Sequence, residues 1–290
     1  MPASGHSRAL LRALKSFGLL RESKVGMVGA GLVIFWIIVA VFAPLIAPYA
    51  PNATTTNTFI KPFGTGAEGQ LFILGTDMIG RDVLSRIIWG SRTVLIYAPL
   101  ATLTAYVVGI VMGLAAGYMR GWIDDVLSRV SDMILSFPVL VLYILIVTTF
   151  GQSGVTIIIA ITFASAPGIM RIVRGLVLDL RNRDYVAAAQ TRGESAWHIM
   201  LIEILPNARG PLIVDACLRL GYVIITIGVL GFLGLGLPPP NPDWGGMINE
   251  TRSMALAFPH MTVFPCIAIS SLILGFNLLA DGLREISLRD

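Results

Sequence analysis

Six apolar runs, each long enough to cross a lipid bilayer, constrain the fold of this 290-residue chain more than any other feature. An α-helix rises about 1.5 Å per residue, so about 20 apolar residues span the roughly 30 Å hydrocarbon core. The runs cover residues 25–47, 94–118, 130–150, 155–172, 211–235 and 261–279. The sequence therefore predicts an all-α polytopic membrane protein with six transmembrane helices.

The composition agrees with a chain embedded in a membrane. Hydrophobic residues make up 55% of the sequence and charged residues 13%, whereas soluble domains contain about 25% charged residues. This balance excludes a disordered chain, a fibrous protein and a soluble nucleic-acid binder. It predicts that the chain is embedded in a lipid bilayer, which is therefore one of its partners. The run at 25–47 is also too long for the apolar region of a cleaved signal peptide, so we interpret it as a retained span.

The positions of the basic residues predict the orientation. With the N-terminus in the cytoplasm, 15 of the 21 lysine and arginine residues lie inside, five lie outside and Arg219 falls within a span. Because cytoplasmic flanks are enriched in these residues, we expect both termini inside. The predicted segments begin with a cytoplasmic tail at 1–24, a first transmembrane helix at 25–47 and an extracytoplasmic loop with an interfacial helix at 48–93. A five-helix core at 94–283 follows, and it contains a cytoplasmic loop at 173–208. The chain ends in a C-terminal tail at 284–290.

Two patterns within the spans call for separate interpretations. Gly109, Gly113 and Gly117 repeat every four residues and so form a ridge on one helix face, which predicts close helix packing in lipid. Asp215 and Arg219 also stand four apart, where an unpaired charge costs about 2.5 to 3.5 kcal/mol. They form either a structural ion pair or a polar element of a translocation path.

The sequence has no recognisable catalytic machinery. There is no G-x-x-x-x-G-K-[ST] motif for ATP hydrolysis, and the three histidines match no zinc spacing. We therefore predict no catalytic residue, no metal site and no cofactor bound by this chain.

The predicted cytoplasmic loop contains a helix, a glycine turn and a second helix. Asp184 suits the N-cap of the first helix and Gly193 its C-terminus, Ser195 suits the cap of the second, and Pro206 is expected to end it. Small side chains at 187–189 predict a flat surface on which a partner protein packs closely. The residues assigned to this docking function are Asp184, Tyr185, Ala187, Ala188, Ala189, Gly193, Leu205 and Pro206.

This loop resembles the EAA loop of the permease subunits of bacterial binding-protein-dependent ABC importers. That pattern is E-A-A, three residues, Gly, nine residues, then I-x-L-P. Five residues match it at the correct spacing, namely Ala188, Ala189, Gly193, Leu205 and Pro206. Ala187 replaces the glutamate and Glu203 the isoleucine.

Two further segments are similar to the dipeptide, oligopeptide and nickel permeases of this group. Residues 74–92 read LGTDMIGRDVLSRIIWGSR, which is similar to L-G-T-D-x-x-G-R-D-V-x-S-R-x-x-x-G-x-R. Residues 232–245 contain FLGLGL, a proline run and a Trp-Gly pair that resemble F-L-G-L-G…P-P…W-G. The extra first span and long outer loop resemble the "C-type" member of the permease pair.

The resemblance implies a type I importer fold in the bacterial inner membrane. Its implied partners are a second homologous permease, two ABC ATPases that bind ATP and Mg, and an extracytoplasmic substrate-binding protein. The implied cargo is di- or oligopeptides, with nickel or another small solute as the alternative in the same architecture. A self-contained secondary transporter is the rival mechanism, and it predicts activity without ATP.

The outer segments give two expectations. Asp77, Arg81, Asp82 and Arg86 alternate in sign, so we expect them to pair within an ordered helix over 76–92 at the outer membrane surface. Direct contact with substrate is the alternative for this segment. Trp244 either contacts the binding protein or anchors the chain at the membrane interface.

Overall fold

The apolar runs form long helices that pack against one another. The computed structural model describes residues 23–238 and 240–287, so most of the predicted N-terminal tail, Pro239 and residues 288–290 lie outside the described residues. The five longest helices are α1 (Lys24–Val41), α3 (Val83–Met119), α6 (Gly154–Leu180), α9 (Leu205–Phe232) and α11 (His260–Ser287). Shorter helices are α2 (Ala43–Ile46), α4 (Gly121–Leu135), α5 (Val139–Phe150), α7 (Asp184–Thr191), α8 (Ala196–His198) and α10 (Trp244–Thr251).

The predicted membrane architecture is confirmed. Within the described residues, five helices are long and apolar enough to cross a membrane, and the number is six if the bent pair α4 and α5 counts as one span. The inward placement of both termini stays a prediction.

The third predicted span, 130–150, is not one straight helix. Helices α4 and α5 meet at 88° across residues 136–138. Pro138 precedes α5, and a proline both lacks an N–H and disfavours helical geometry in the residue before it. The chain therefore turns sharply where the hydropathy alone predicts continuity.

Two helix pairs organise the core. Helix α3 packs along α6, and α1 packs along α11. A Cβ on Gly29 of α1 would stand 2.4 Å from the backbone N of Leu279 in α11, so this pair touches backbone to backbone. Buried side chains from α3, α5, α6, α9 and α11 form one apolar cluster, and a second lies around the inner ends of α3 and α6.

The segment between α1 and α3 is mostly irregular, and we call its side of the molecule outer, and the opposite side inner, after the orientation predicted from the basic residues. It contains a small antiparallel pair, β1 (Gly64–Thr65) with β2 (Leu71–Phe72), in which Gly64 faces Phe72. The helix expected over 76–92 is wrong in its extent, because residues 76–82 form a turn with Gly80 at φ +81°. Residues 83–92 belong to α3 itself, which starts where the Asp82 side chain accepts from the Ser85 N–H at 2.7 Å. No separate interfacial helix exists in the described part of 48–93.

Candidate functional site

The segment between α6 and α9 folds into the predicted helix, turn and helix. Helix α7 ends in a turn at Gly193, whose φ is +78°, a value that glycine adopts without strain. The Gly193 N–H donates to Gln190 O at 3.0 Å, and the Glu194 N–H donates to Ala189 O at 3.2 Å. Ser195 then caps α8 by accepting from the His198 N–H at 3.3 Å, as its type and position predict. We call residues 184–206 the coupling segment.

Two predicted boundaries of the coupling segment are wrong. Arg183 occupies the N-cap of α7, and Asp184 is its first helical residue. Pro206 does not end the second helix, because α8, a π-helix over Ile199–Ile204 and α9 run on as one span-length helix from Ala196 to Phe232. Pro206 directly follows the π-helix inside this continuous helix, where its missing N–H removes one backbone hydrogen bond without ending the helix.

The exposed face of α7 is smaller than the three-alanine surface predicted. Ala187 and Ala188 are exposed, but Ala189 is fully buried. Successive helical residues rotate by about 100°, and Ala189 therefore turns inward onto a cluster that includes Ile199 and Met200. Trp197 of α8 is also exposed, at 50%, and no pattern in the sequence indicated it.

Other residues of the coupling segment contact the membrane-spanning helices, mainly α3 and the apolar cluster between α3 and α6. Tyr185 and Leu205 are half-buried against the inner apolar cluster, and Pro206 is exposed. Gln190 donates to the Tyr118 hydroxyl of α3 at 3.3 Å. Arg192 pairs with Glu194 at 2.7 Å and with Glu203 at 3.3 Å. Glu203, which stands where the motif has isoleucine, therefore forms an ion pair across the Gly193 turn.

The glycine ridge of α3 lies directly against α6. A Cβ on Gly109, Gly113 or Gly117 would stand 2.5 to 2.7 Å from the Cβ of Ile169, Val173 or Val177, respectively. Real Cβ contacts are essentially never that short. The three glycines therefore allow α3 and α6 to approach more closely than any larger residue would permit.

Asp215 and Arg219 form an ion pair in the middle of α9. Arg219 Nε donates to Asp215 Oδ2 at 2.7 Å, and the Tyr106 hydroxyl of α3 donates to the same oxygen. Arg219 also lines a cavity of about 120 Å³ that opens between α3, α5, α6 and α9. The predicted ion pair between Asp215 and Arg219 is therefore present, and a place for it in a translocation path stays a prediction.

An ionic cluster holds the outer ends of α3 and α10 together. Asp77 pairs with Arg81 at 2.6 Å and with Arg86 at 2.8 Å, while Glu250 pairs with Arg86 at 2.9 Å and also contacts Arg81. The pairing expected from the alternating charges is therefore present, except that Asp82 caps α3. Burial raises the pKa of Asp82. Glu250 comes from a distant part of the chain, and no local pattern indicated it.

Trp244 does not lie on the outer surface. Its side chain is fully buried, its indole N–H donates to Ile87 O at 3.0 Å, and its ring packs edge-on against Trp36 at a 5.0 Å centroid distance. Neither a side-chain contact with a binding protein nor an interfacial anchor fits this position. Both expectations for Trp244 are wrong, because the outer loop folds back and inserts the ring between α1 and α3.

Gly231, just before the FLGLGL motif, and Gly236, within it, make room for a buried carboxylate. Asp243 caps α10 by accepting from the N–H groups of Gly245 and Gly246. A Cβ on Gly231 or Gly236 would stand 2.1 or 2.4 Å from its Oδ2. Desolvation raises the Asp243 pKa to about 6.

Comparison with known proteins identifies the architecture. Residues 109–290 match the family model described as the binding-protein-dependent transport system inner membrane component, and residues 17–62 match the N-terminal TM domain of oligopeptide transport permease C. The chain belongs to this permease family.

Relatives of this permease extend over nearly its whole length. It is 37% identical to the dipeptide transport system permease protein DppC of Alkalihalophilus pseudofirmus, over 93% of this chain and 88% of that one. It is 36% identical to the di/tripeptide transport system permease protein DppC of Pseudomonas aeruginosa, over 98% and 94%. It is 37% identical to the glutathione transport system permease protein GsiD of Pectobacterium atrosepticum, over 89% and 85%. The family match and the apolar helices together identify this permease as a transport component of the inner membrane.

Proposed function

We propose that this permease is one transmembrane subunit of an ATP-driven importer of short peptides, in which it forms half of the translocation pathway. Its partners in this proposal are a second homologous permease, two ABC ATPases and an extracytoplasmic substrate-binding protein. Relatives named for dipeptide, di/tripeptide and glutathione transport support the cargo class. Glutathione is itself a tripeptide, so all three names describe short peptides.

The coupling segment carries the proposal. Ala187, Ala188 and Trp197 form an exposed surface on either side of the Gly193 turn. The segment that carries these residues is linked to α3 by the hydrogen bond from Gln190 to Tyr118 and to α9 by the continuous helix from Ala196 to Phe232. An ATPase that closes on ATP and grips this surface would move whole transmembrane helices, which is a two-state rearrangement biased by nucleotide.

In this proposal the permease binds no cofactor of its own and performs no hydrolysis. ATP and Mg bind to the ATPase partners, because the sequence has no phosphate-binding loop. The role of this chain is to convert their closure into alternating access.

The alternatives differ in cargo or in energy source. An importer of nickel or another small solute would use the same coupling surface but a different binding protein. A secondary transporter would need no ATPase, and in that case the coupling segment would have no partner.

Reconstitution separates these alternatives. The permease, tagged at its C-terminus, is purified in mild detergent with its associated subunits and placed in liposomes with the binding protein. We expect two ATPases and a second permease to co-purify, and labelled dialanine to accumulate with ATP but not with a non-hydrolysable analogue. Recovery of the permease alone, with uptake independent of ATP, would contradict the proposal, and ATP-driven uptake of nickel but not of dialanine would contradict the cargo assignment.

A further inference from the structure

Arg219 stands within the membrane-spanning part of α9 and yet faces a cavity. It lies eight residues after the start and 16 before the end of the apolar run 211–235, or about 12 Å and about 24 Å along the helix. An ionisable residue within a span is costly and generally marks a functional pathway. The Arg219 side chain is 23% exposed, so it is not sealed in the core.

The ion pair uses only one edge of the guanidinium. Nε donates to Asp215, whereas Nη1 and Nη2 lie near Gly168, each 3.6 Å from where a Cβ of that glycine would stand. Within the described part of the chain, Asp215 is the one carboxylate in a salt bridge with Arg219. The fork formed by Nη1 and Nη2 is therefore left without a carboxylate partner.

Asp215 itself is not available to a ligand in the same way. Its Oδ2 already accepts from Arg219 and from the Tyr106 hydroxyl, and Asp215 does not line the cavity. Asp215 therefore orients the guanidinium through Nε, on the edge opposite to Nη1 and Nη2. A planar guanidinium held in this way binds a carboxylate through two parallel hydrogen bonds.

The cavity suits a carboxylate and a small part of the chain attached to it. Its volume of about 120 Å³ equals about four water molecules at about 30 Å³ each. Four hydroxyl-bearing residues, Thr102, Tyr143, Ser165 and Thr226, line it beside Arg219, although Thr102 and Thr226 donate their hydroxyls to helix carbonyls. Tyr222 stands at its rim and is 68% exposed, so the rest of a bound molecule would extend outward past this ring.

We propose that Arg219 binds the C-terminal carboxylate of a peptide during its passage, with Asp215 and Tyr106 as positioning residues. This inference rests on the proposed peptide import and adds a binding site inside the membrane. Such a site would recognise a feature that every free peptide shares, and it would leave side-chain selection to other parts of the transporter.

Thiol protection tests the site without the binding protein. In the assembled transporter, Thr226→Cys is introduced into a chain with Cys217→Ser and Cys266→Ser, and its reaction with a water-soluble methanethiosulfonate is timed. If the site binds with a dissociation constant of about 5 mM, about 20 mM dialanine should slow the reaction about fivefold. Dialaninamide, which lacks the carboxylate, should not slow it.

Variants of the pair provide the controls. Arg219→Gln should abolish protection by dialanine, and Arg219→Lys should retain part of it, because lysine keeps the charge but loses the fork. The double variant Asp215→Asn with Arg219→Gln removes both charges together, so loss of protection in a stably assembled double variant cannot come from an unpaired aspartate.

The outcomes separate the inference from the function on which it rests. Equal protection by dialanine and dialaninamide, protection that survives Arg219→Gln, or no protection at all in a transporter that imports dialanine with ATP would overturn the carboxylate site alone. A transporter that neither imports dialanine nor shows protection would overturn the peptide function, and the site with it.

Discussion

The indole N–H of Trp244 donates to the backbone carbonyl of Ile87 at 3.0 Å, although the two residues are 157 positions apart. This bond fastens the outer helix α10 to the beginning of α3. Gly90 makes the contact possible, because a Cβ there would stand 2.7 Å from the indole ring. The Trp-Gly pair of the sequence motif is thus a packing element of the outer layer.

Trp244→Phe should destabilise the permease complex by about 1 to 3 kcal/mol, because it removes a buried hydrogen bond and leaves a gap. The measurement is the thermal unfolding of the purified complex, followed by size-exclusion chromatography. Trp122→Phe is the matched control, since Trp122 is 73% exposed. Equal unfolding temperatures for the two variants would contradict the fastening role.

Ala188→Asp and Ala189→Asp should fail in different ways. Ala188 is exposed, so its variant should assemble at normal yield but lose ATP-driven uptake by at least about tenfold, as expected when a charge enters a close-packed docking face. Ala189 is fully buried, so its variant should instead assemble poorly. Normal uptake by an Ala188→Asp complex would remove the docking function from this face.

Gly113→Leu should reduce the yield of assembled complex, because even its Cβ would stand 2.5 Å from the Cβ of Val173. Overpacking of this kind costs about 1 to 3 kcal/mol or more. Gly175→Leu is the control, since nothing lies within 4 Å of a Cβ at that position. The packing role predicts a lower unfolding temperature for the first variant only.

The outer layer should be more stable at pH 5 than at pH 7.5. Desolvation raises the Asp243 pKa from 3.8 to about 6, so the protonated form is favoured in the folded state. The associated stability is fully present below about pH 3.8 and is lost as the pH rises through about 6. The whole change is about 3 kcal/mol, of which about 1.4 kcal/mol falls between pH 5 and pH 7.5. Unfolding temperatures at the two pH values measure it.

Asp243→Asn is the control for the pH effect, because asparagine keeps a cap acceptor and does not titrate. Its unfolding temperature should change less between pH 5 and pH 7.5 than that of the unchanged permease. The same pH profile in both proteins would assign the effect to another group.

The sequence predicted the elements that depend on local chemistry. Apolar length identified the spans, and the requirement for positive φ at Gly193 and the cap at Ser195 identified the turn in the coupling segment. The bend before α5 also had a local signal in Pro138, which the hydropathy of 130–150 concealed.

The elements that depend on helix rotation and distant packing were not predictable. Tyr106 meets Asp215 across 109 positions, and Arg86 meets Glu250 across 164. No periodicity within one segment specifies such a partner. The inward turn of Ala189 and the burial of Trp244 follow from the same cause, since the side that a helix or loop presents is set by its neighbours.

Helix α3 spans 37 residues without an interruption, or about 55 Å, against a hydrocarbon core of about 30 Å. Its outer end holds Arg86 in the ionic cluster, and its inner end holds Tyr118 against Gln190 of the coupling segment. Helix α3 is therefore one continuous element shared by the ionic cluster and the coupling segment, although Pro99 inside it removes one backbone hydrogen bond. We expect motion of the coupling segment to reach the bond between Trp244 and Ile87 through this helix.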